Sequence, residues 1–415
     1  MKLKFLLTFL LVSASILTFS QNSKTFAITG SGKGDFLWMN IRQIDIASGL
    51  VTKTVFDKGV TKFKMVDATT NIEMMLNGTK KGTHNSAPFH PTANMIAAAA
   101  YDKKHNKLFF APMFLNELRW LDLTSDADNP TFYFLKSPLL NFGNTSDEAN
   151  NITRMTVAAD GNGYALTNAG NHLIKFTTGK KIVITDLGGL LDASSNKSIS
   201  VHNKCSSWGG DIVADAFGKL YLFTASKNIF KIDIAERTAT HLGSITGLSG
   251  AYTLNGAAVD DDDNVIISSA NTFEGFFKVS MKDLKATKIA SSGTVYNSSD
   301  LANNNLLFSS QLRNNVGTST LVQREVIGNR FISVYPNPVA GTQFQVTFEN
   351  NPKGEYNVAL TDIQGKLIMN KQVFVISSNQ VENIQMKNKP AGGMYLIKVT
   401  NANKRSVFSD KIVMQ

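Results

Sequence analysis

Apolar and polar positions alternate in a short pattern that recurs along the middle of the chain and is clearest between Trp208 and Gly243. This stretch predicts four strands separated by turn residues, at 211–215, 220–224, 229–234 and 239–242. One small antiparallel sheet of this kind cannot bury both of its faces alone. Copies must therefore pack against one another, and radial packing gives a β-propeller.

Parts of the same unit recur before and after it. Segments at 40–46, 117–123, 171–176 and 275–280 repeat its third strand, usually with a Lys, Arg or Gln near the centre. The residues Phe109, Tyr164, Tyr221 and Ile266 occupy the second strand and lie roughly 45 to 57 positions apart, a spacing typical of propeller blades.

The predicted fold class is all-β, a β-propeller followed by a small C-terminal β-sandwich. The first and last blades are partial, at 25–57 and 295–327, and joining them closes the ring and removes exposed sheet edges. Six blades are preferred on this count, and five remain open. The predicted domains are a leader at 1–20, the propeller at 21–327 and a C-terminal domain at 328–415.

The leader has the pattern of a secretory signal peptide. Lys2 and Lys4 precede an apolar run at 5–19, which is too short for a membrane-spanning helix. No other segment of the sequence approaches the length of about 18 apolar residues that a span requires, so we expect no transmembrane span.

Residues 331–415 open a new pattern of short alternating strands at 344–348, 356–361, 366–369, 373–376, 383–386, 394–400 and 406–413. Within it, 334–338 read VYPNP, 360–366 read LTDIQGK, 390–397 read PAGGMYLI and 411–413 read KIV. These spaced motifs resemble the type A C-terminal sorting domain of the type IX secretion system of Bacteroidetes. The positions that carry the resemblance are Pro336, Asn337, Pro338, Asp362, Gly365, Gly392, Gly393, Tyr395 and Lys411.

The resemblance implies a route and a partner. Proteins of this family are carried across the outer membrane by the type IX secretion machinery, which reads the C-terminal domain. The domain is commonly removed at the surface, and the cargo is released or attached there. The resemblance therefore implies a protein that is secreted or held on the outer surface of a Gram-negative bacterium.

The formal net charge of +10 is distributed unevenly along the chain. Residues 21–330 carry nearly equal numbers of basic and acidic side chains, which gives no basic face of the kind that nucleic acid requires. Cys205 is the only cysteine, so the chain has no internal disulfide.

Candidate ligand-binding residues lie in the loops that lead into the first strand of each blade, because these loops surround one mouth of the central channel. Each candidate residue also has a purely structural interpretation, as a turn residue, a packing residue or a hydrogen-bonded group. The candidates are His84, Asn85, Asn151, Arg154, His202, Asn203, Trp208, Asp211 and Asn255.

An acidic run gives a weaker candidate, for a metal. Asp260, Asp262 and Asn264 match the first ligand positions of a calcium loop, although Val265 replaces the required Gly. A solvated turn between two strands is the competing interpretation.

The sequence leaves open whether the protein is an enzyme. It contains no nucleophile elbow, phosphate loop or kinase signature. The first hypothesis is a surface-displayed module that binds an unknown extracellular ligand, which could be a glycan, a protein or another polymer. The alternative is a metal-assisted hydrolase or lactonase of the six-bladed propeller kind, with channel side chains around one cation.

Overall fold

The computed structural model describes residues 23–74, 90–310 and 331–415, except for 33, 350, 363–365, 378, 387 and 403–405. The leader at 1–20 and the domain boundary at 327/328 lie outside these residues. The chain forms two compact units, Met1–Thr318 and Ser319–Gln415. No helix in the described part is long and apolar enough to cross a membrane.

Nearly all regular structure in the described residues is β-strand. The first unit contains β1 (Thr25–Thr29), β2 (Asn40–Ile44), β3 (Val51–Phe56), β4 (Lys64–Asp67), β5 (Ile96–Asp102), β6 (Lys107–Pro112), β7 (Glu117–Asp122), β8 (Thr131–Lys136), β9 (Ile152–Val157), β10 (Gly163–Thr167), β11 (Leu173–Phe176), β12 (Ile184–Asp186), β13 (Leu191–Asp192), the short helix α1 (Lys204–Ser207), β14 (Asp211–Ala214), β15 (Lys219–Phe223), β16 (Asn228–Asp233), β17 (Thr238–Ser244), β18 (Gly256–Val259), β19 (Val265–Ser268), β20 (Phe277–Ser280), β21 (Lys285–Lys288) and β22 (Ser298–Ala302). Short 3-10 turns lie at Pro138–Leu140, Glu148–Asn150 and Ser194–Asn196.

The described strands of the first unit form five sheets, in the orders β22-β1-β2-β3, β5-β6-β7-β8-β4, β9-β10-β11-β12, β14-β15-β16-β17-β13 and β18-β19-β20-β21. The inner strands β5, β9, β14, β18 and β22 each contact the next one, and β22 contacts β5. This closed ring confirms the all-β propeller. In the described part of the chain it has five blades and not the preferred six.

The blade count follows from the way in which the ring closes. Strand β1 lies between β2 and β22, with Ala27 opposite Leu301. The two ends therefore complete one shared blade instead of two separate ones. Of the further strands predicted at the end of the array, 306–310 contains only an isolated bridge from Leu307 to Asp215, and 321–327 lies outside the described residues.

Each blade is held by apolar side chains on both of its faces. Phe109 in β6 packs on Phe176 in the next blade, with ring centroids 5.1 Å apart. Two blades also carry an extra outer strand, because β4 pairs in parallel with β8 and β13 pairs in parallel with β17. These strands cover edges that would otherwise be exposed.

The second unit consists of β23 (Phe331–Tyr335), β24 (Gln343–Glu349), β25 (Gly354–Asp362), β26 (Leu367–Val375), β27 (Asn379–Gln385), β28 (Gly393–Asn401) and β29 (Ser406–Met414). The sheets β23-β24-β27 and β26-β25-β28-β29 enclose a core that includes Phe344, Val346, Val358 and Ile397. This confirms the C-terminal β-sandwich. The runs predicted at 366–369 and 373–376 belong to one long strand, β26.

Candidate functional site: the propeller channel and its mouth

One face of the propeller carries most of the candidate loops. Successive strands of a blade run antiparallel, so the loops from second to third strand lie on the same face as the loops leading into the first strand. In the blade that closes the ring, β1 is the second strand and β2 the third, so the loop at 30–39 belongs to this face. The loop at 269–276 in the neighbouring blade does as well.

The centre of the channel is occupied by acidic side chains from two inner strands. Asp211 begins β14, Asp300 lies within β22, and both are fully buried. The carboxylate of Asp211 accepts hydrogen bonds from the backbone N–H groups of Ile212 at 2.7 Å and of Ala257, in β18, at 2.8 Å. Asp211 therefore reaches from its own blade to the next one.

The pKa values of both carboxyl groups are raised. Burial raises the pKa of Asp211 well above its ordinary range, although N–H groups from several inner strands favour its charged form. Burial, and then the charge of Asp211, raises the pKa of Asp300, and the N–H of Ala99 offsets this only in part. Among described residues no donor makes a hydrogen bond of normal geometry to Asp300. The arrangement suits one proton held between the two groups.

A buried guanidinium lies close to the acid pair. Arg154, in β9, donates to the carbonyl oxygens of Thr167 at 3.0 Å, Asn168 at 3.1 Å and Gly209 at 3.0 Å, and also to that of Ser207. Burial lowers the pKa of Arg154 to about 9, and the negative charge of Asp211 opposes this effect. Arg154 thus fastens its blade to the loop that leads into β14.

These side chains leave little room in the channel. On the far side of the acid pair, a space of about 10 Å³ is lined by inner-strand residues such as Ala99, Met155 and Ala257. A space of this size holds at most a single water molecule. The channel is therefore a packed core at this level, and Asp211 and Arg154 take part in that core.

The side-chain polar groups of Asn151 and His202 also form hydrogen bonds within the protein. The Asn151 amide donates to the carbonyl oxygens of Thr145 at 3.1 Å and Asp147 at 3.0 Å, and its oxygen accepts from the N–H of Phe114 at 2.6 Å. Asn151 thereby closes its own loop.

The ring nitrogens of His202 face the carbonyl oxygens of Ala169 at 2.7 Å and Leu190 at 3.0 Å. Asn203 accepts from the N–H of Cys205 at 2.8 Å and caps α1. His202 and Asn203 together shape the loop that precedes β14.

The remaining candidates differ in their exposure. The ring of Trp208 is partly buried and carries the Lys204 ammonium 4.7 Å from its centroid. The Asn255 side-chain oxygen accepts from the N–H of Ala270 at 3.0 Å. His84 and Asn85 lie outside the described residues.

An aromatic patch on the same face was missing from the sequence-based candidates. We define the mouth patch as Phe36, Leu37, Trp38 and Phe273. Phe36 is 44% exposed and Phe273 is 45% exposed, and their ring centroids are 6.1 Å apart. Trp38 lies 6.3 Å from Phe36 in an edge-on arrangement. The sequence signals were the apolar run at 36–39, which contains Trp38, and the segment 271–274, both in loops between a second and a third strand.

The acidic run at 260–264 forms a tight turn. One Asp260 oxygen accepts from the N–H groups of Asp262 at 2.9 Å and Asn264 at 2.8 Å. The other lies 3.1 Å from the Lys278 ammonium. In the part of the chain that the structure describes, no three His, Cys, Asp or Glu side chains form a group that could hold a metal ion.

The motif residues of the second unit join its two ends. The Asn337 amide donates to the Lys411 carbonyl at 2.9 Å, and its oxygen accepts from the Val413 N–H at 2.9 Å. The Tyr395 hydroxyl donates to the Ala391 carbonyl at 2.9 Å. Asp362 accepts from the Lys366 N–H, while Pro336, Pro338, Gly392 and Gly393 flank these contacts and Gly365 lies outside the described residues.

Comparison with known proteins identifies the second unit. Residues 333–415 match the family described as the secretion system C-terminal sorting domain. No curated protein sequence matches the chain.

Solved structures similar to the chain include PorZ, a surface component of the type IX secretion system of Porphyromonas gingivalis, at 13% identity and TM-score 0.30. The similarity covers 94% of this chain and 51% of PorZ, so the chain spans about half the length of that protein. The periplasmic gluconolactonase PpgL of Pseudomonas aeruginosa is 8% identical with TM-score 0.32, covering 94% of this chain and 96% of that one. Virginiamycin B lyase of Staphylococcus aureus is 10% identical with TM-score 0.28, covering 78% and 85%.

The fold and the sorting domain together define a class of protein, namely secreted or cell-surface β-propellers of Gram-negative bacteria. Within that class, this chain is a cargo of the type IX secretion system, and its C-terminal unit is the type IX sorting domain.

Proposed function

We propose that the propeller is an extracellular ligand-binding module and that the mouth patch is its contact surface. The observation that carries this proposal is the exposure of Phe36 and Phe273, nearly half of each side chain, on adjacent loops of one face. Exposed apolar patches rimmed by polar residues are typical of binding surfaces.

A glycan is the ligand class that we favour among glycans, proteins and other polymers. The two exposed phenyl rings are inclined by 48° to each other and offer two flat apolar surfaces. The apolar face of a sugar ring can pack on such a surface while its hydroxyl groups bond to polar neighbours. Asp35 and Asn271 lie beside the patch in the same two loops.

The channel residues argue against the hydrolase or lactonase alternative. Arg154, Asp211 and Asp300 are buried, and Arg154 and Asp211 are hydrogen-bonded to the backbone, so these side chains do not converge on an open cavity. A side chain that bonds a substrate or a cation needs access to it. We therefore place ligand contact at the surface of the mouth and not in the channel.

A glycan array probed with the purified full-length protein tests the proposal. Phe36→Ala and Phe273→Ala should each weaken glycan binding by about tenfold, the effect of losing one aromatic contact of roughly 1.4 kcal/mol. Phe217→Ala is the matched control, because Phe217 is 49% exposed but lies in a first-to-second-strand loop on the opposite face. Equal binding by all three variants and the wild type would refute the mouth patch as the contact surface.

A further inference from the structure

The second unit has a cavity of about 690 Å³ that the propeller's proposed function does not involve. One wall is the first half of β26, including Leu367 and Met369, and the other is the segment after β27, including Pro390. Its volume is in the range of cavities that bind a ligand or a peptide side chain.

The charges around this cavity all have one sign. Lys366, Lys371 and Lys389 line it, and no Asp or Glu stands among its described lining residues. The Lys371 ammonium donates to the Asn383 carbonyl at 2.6 Å. In the described part of the unit, none of these lysines forms an ion pair with a carboxylate. The cavity therefore favours an anionic partner.

The wall formed by β26 is also the edge of a sheet. In the order β26-β25-β28-β29, strand β26 pairs only with β25 among the described strands. Leu367 is 56% exposed and Phe374 is 62% exposed along this edge. An edge strand with exposed apolar side chains can accept an extended peptide as an additional strand.

Two motifs of the sorting domain meet at the same place. Lys366 ends the turn that Asp362 stabilises, with its N–H 2.9 Å from the Asp362 carboxylate. Pro390, Ala391 and Tyr395 belong to the second motif, and all three line the cavity. The fold thus gathers residues that carry the family resemblance around one lysine-lined edge.

We propose that this edge is the surface at which the secretion machinery binds the sorting domain, and that the partner contributes an extended acidic segment. The segment adds as a strand beside β26, and its carboxylates meet the ammonium groups of Lys366 and Lys389. Its apolar side chains cover Leu367. This proposal is independent of what the propeller binds.

Export of the full-length protein from its native host tests the proposal. The double variant Lys366→Glu, Lys389→Glu should reduce the fraction reaching the surface or medium at least tenfold and leave protein in the periplasm. The matched control, Lys353→Glu, Lys398→Glu, changes the charge of the same unit equally at exposed lysines outside the cavity and should be exported normally. Normal export of the cavity variant, or equal loss in both variants, would overturn the proposal.

A binding measurement keeps the test decisive if the charge-reversed variant does not fold. The wild-type protein is mixed with an alternating Glu-Val peptide or with a Lys-Val peptide, and hydrogen exchange of the β26 amides is followed. The acidic peptide should slow exchange at 367–371, the basic peptide should not, and Lys366→Gln, Lys389→Gln should reduce the protection. Absence of protection by the acidic peptide, or binding only to vesicles of anionic phospholipid, would contradict a peptide partner.

Discussion

The carboxyl groups of Asp211 in β14 and Asp300 in β22 lie together, fully buried, at the centre of the propeller. Strand β22 closes the ring by pairing with β1, so the strand that completes the fold is also the one that brings the second carboxyl group into the channel. Two buried carboxylates in contact cannot both be charged without a large cost. We therefore expect closure of the ring to be coupled to the binding of a proton.

The first prediction is that a rise in pH above about 4 destabilises the propeller through this pair. Both pKa values are raised in the folded state, so the folded protein binds more protons than the unfolded chain above the unfolded pKa of about 4. The stability that these groups contribute at acid pH is therefore lost as pH rises towards their folded pKa values. The slope is up to about 1.4 kcal/mol per pH unit for one proton.

Asp300→Asn isolates this effect, because an amide cannot ionise and can donate a hydrogen bond to Asp211. As pH rises, the free energy of unfolding of the wild type should fall more steeply than that of this variant. All three tryptophans, Trp38, Trp120 and Trp208, lie in the propeller, so tryptophan fluorescence in urea reports on this unit. Asp128→Asn, at an exposed loop position, should leave the wild-type pH dependence unchanged.

Replacement of the channel guanidinium should destabilise the propeller strongly. Arg154→Met leaves the carbonyl oxygens of Asn168 and Gly209 without a donor and removes a positive charge close to Asp211. We expect a loss of about 3–5 kcal/mol of unfolding free energy, as for other broken buried ionic contacts. Lys231→Met, at an exposed position of β16, should change it by less than about 0.5 kcal/mol.

A methyl group cannot be added at Gly256 without moving a neighbouring blade. A Cβ there would lie 2.7 Å from the Asp300 carbonyl carbon, 2.7 Å from the Leu301 nitrogen and 2.6 Å from the Ser268 hydroxyl. Gly256→Ala should therefore cost about 1–3 kcal/mol in thermal or urea unfolding. Gly250→Ala, with no atom within 4 Å of its Cβ position, is the control. Equal stability of both variants would show that the inner strands are not packed this closely.

The sorting domain should loosen at its ends when Asn337 is truncated. Asn337→Ala removes hydrogen bonds to the Lys411 carbonyl and the Val413 N–H. Because these groups are exposed, we expect a loss of about 0.5–1.5 kcal/mol per bond. Hydrogen exchange of the Val413 amide should become faster, whereas exchange in β25 should be unchanged. Asn388→Ala, at an exposed position, should leave the Val413 rate as in the wild type.

Local patterns predicted the strands well. The segments predicted at 211–215, 220–224 and 229–234 correspond to β14, β15 and β16 within one residue at each end. Alternation and turn residues fix such elements because both act within a few positions of the chain. The outer strands β4 and β13 were missed, since each depends on a parallel partner far away in sequence.

Candidate residues at the mouth were harder to assess from sequence. Arg154 and Asp211 were candidates from their positions near the channel, but no local pattern indicated that Asp300 would lie beside Asp211. The roles of Asn151 and His202 depend on carbonyl oxygens that only the folded loops bring within reach. The mouth patch likewise joins Phe36 and Phe273, which lie on adjacent loops of one face but far apart in the sequence.

The sequence by itself determined the all-β class, the repeated blade and the sorting domain, because strand alternation, turn chemistry and spaced motifs are local properties of the chain. Tertiary structure decided the number of blades, since that number depends on whether the two ends share one sheet. It also decided which polar side chains are packed in the channel, because burial and the pairing of Asp211 with Asp300 exist only once β22 closes the ring.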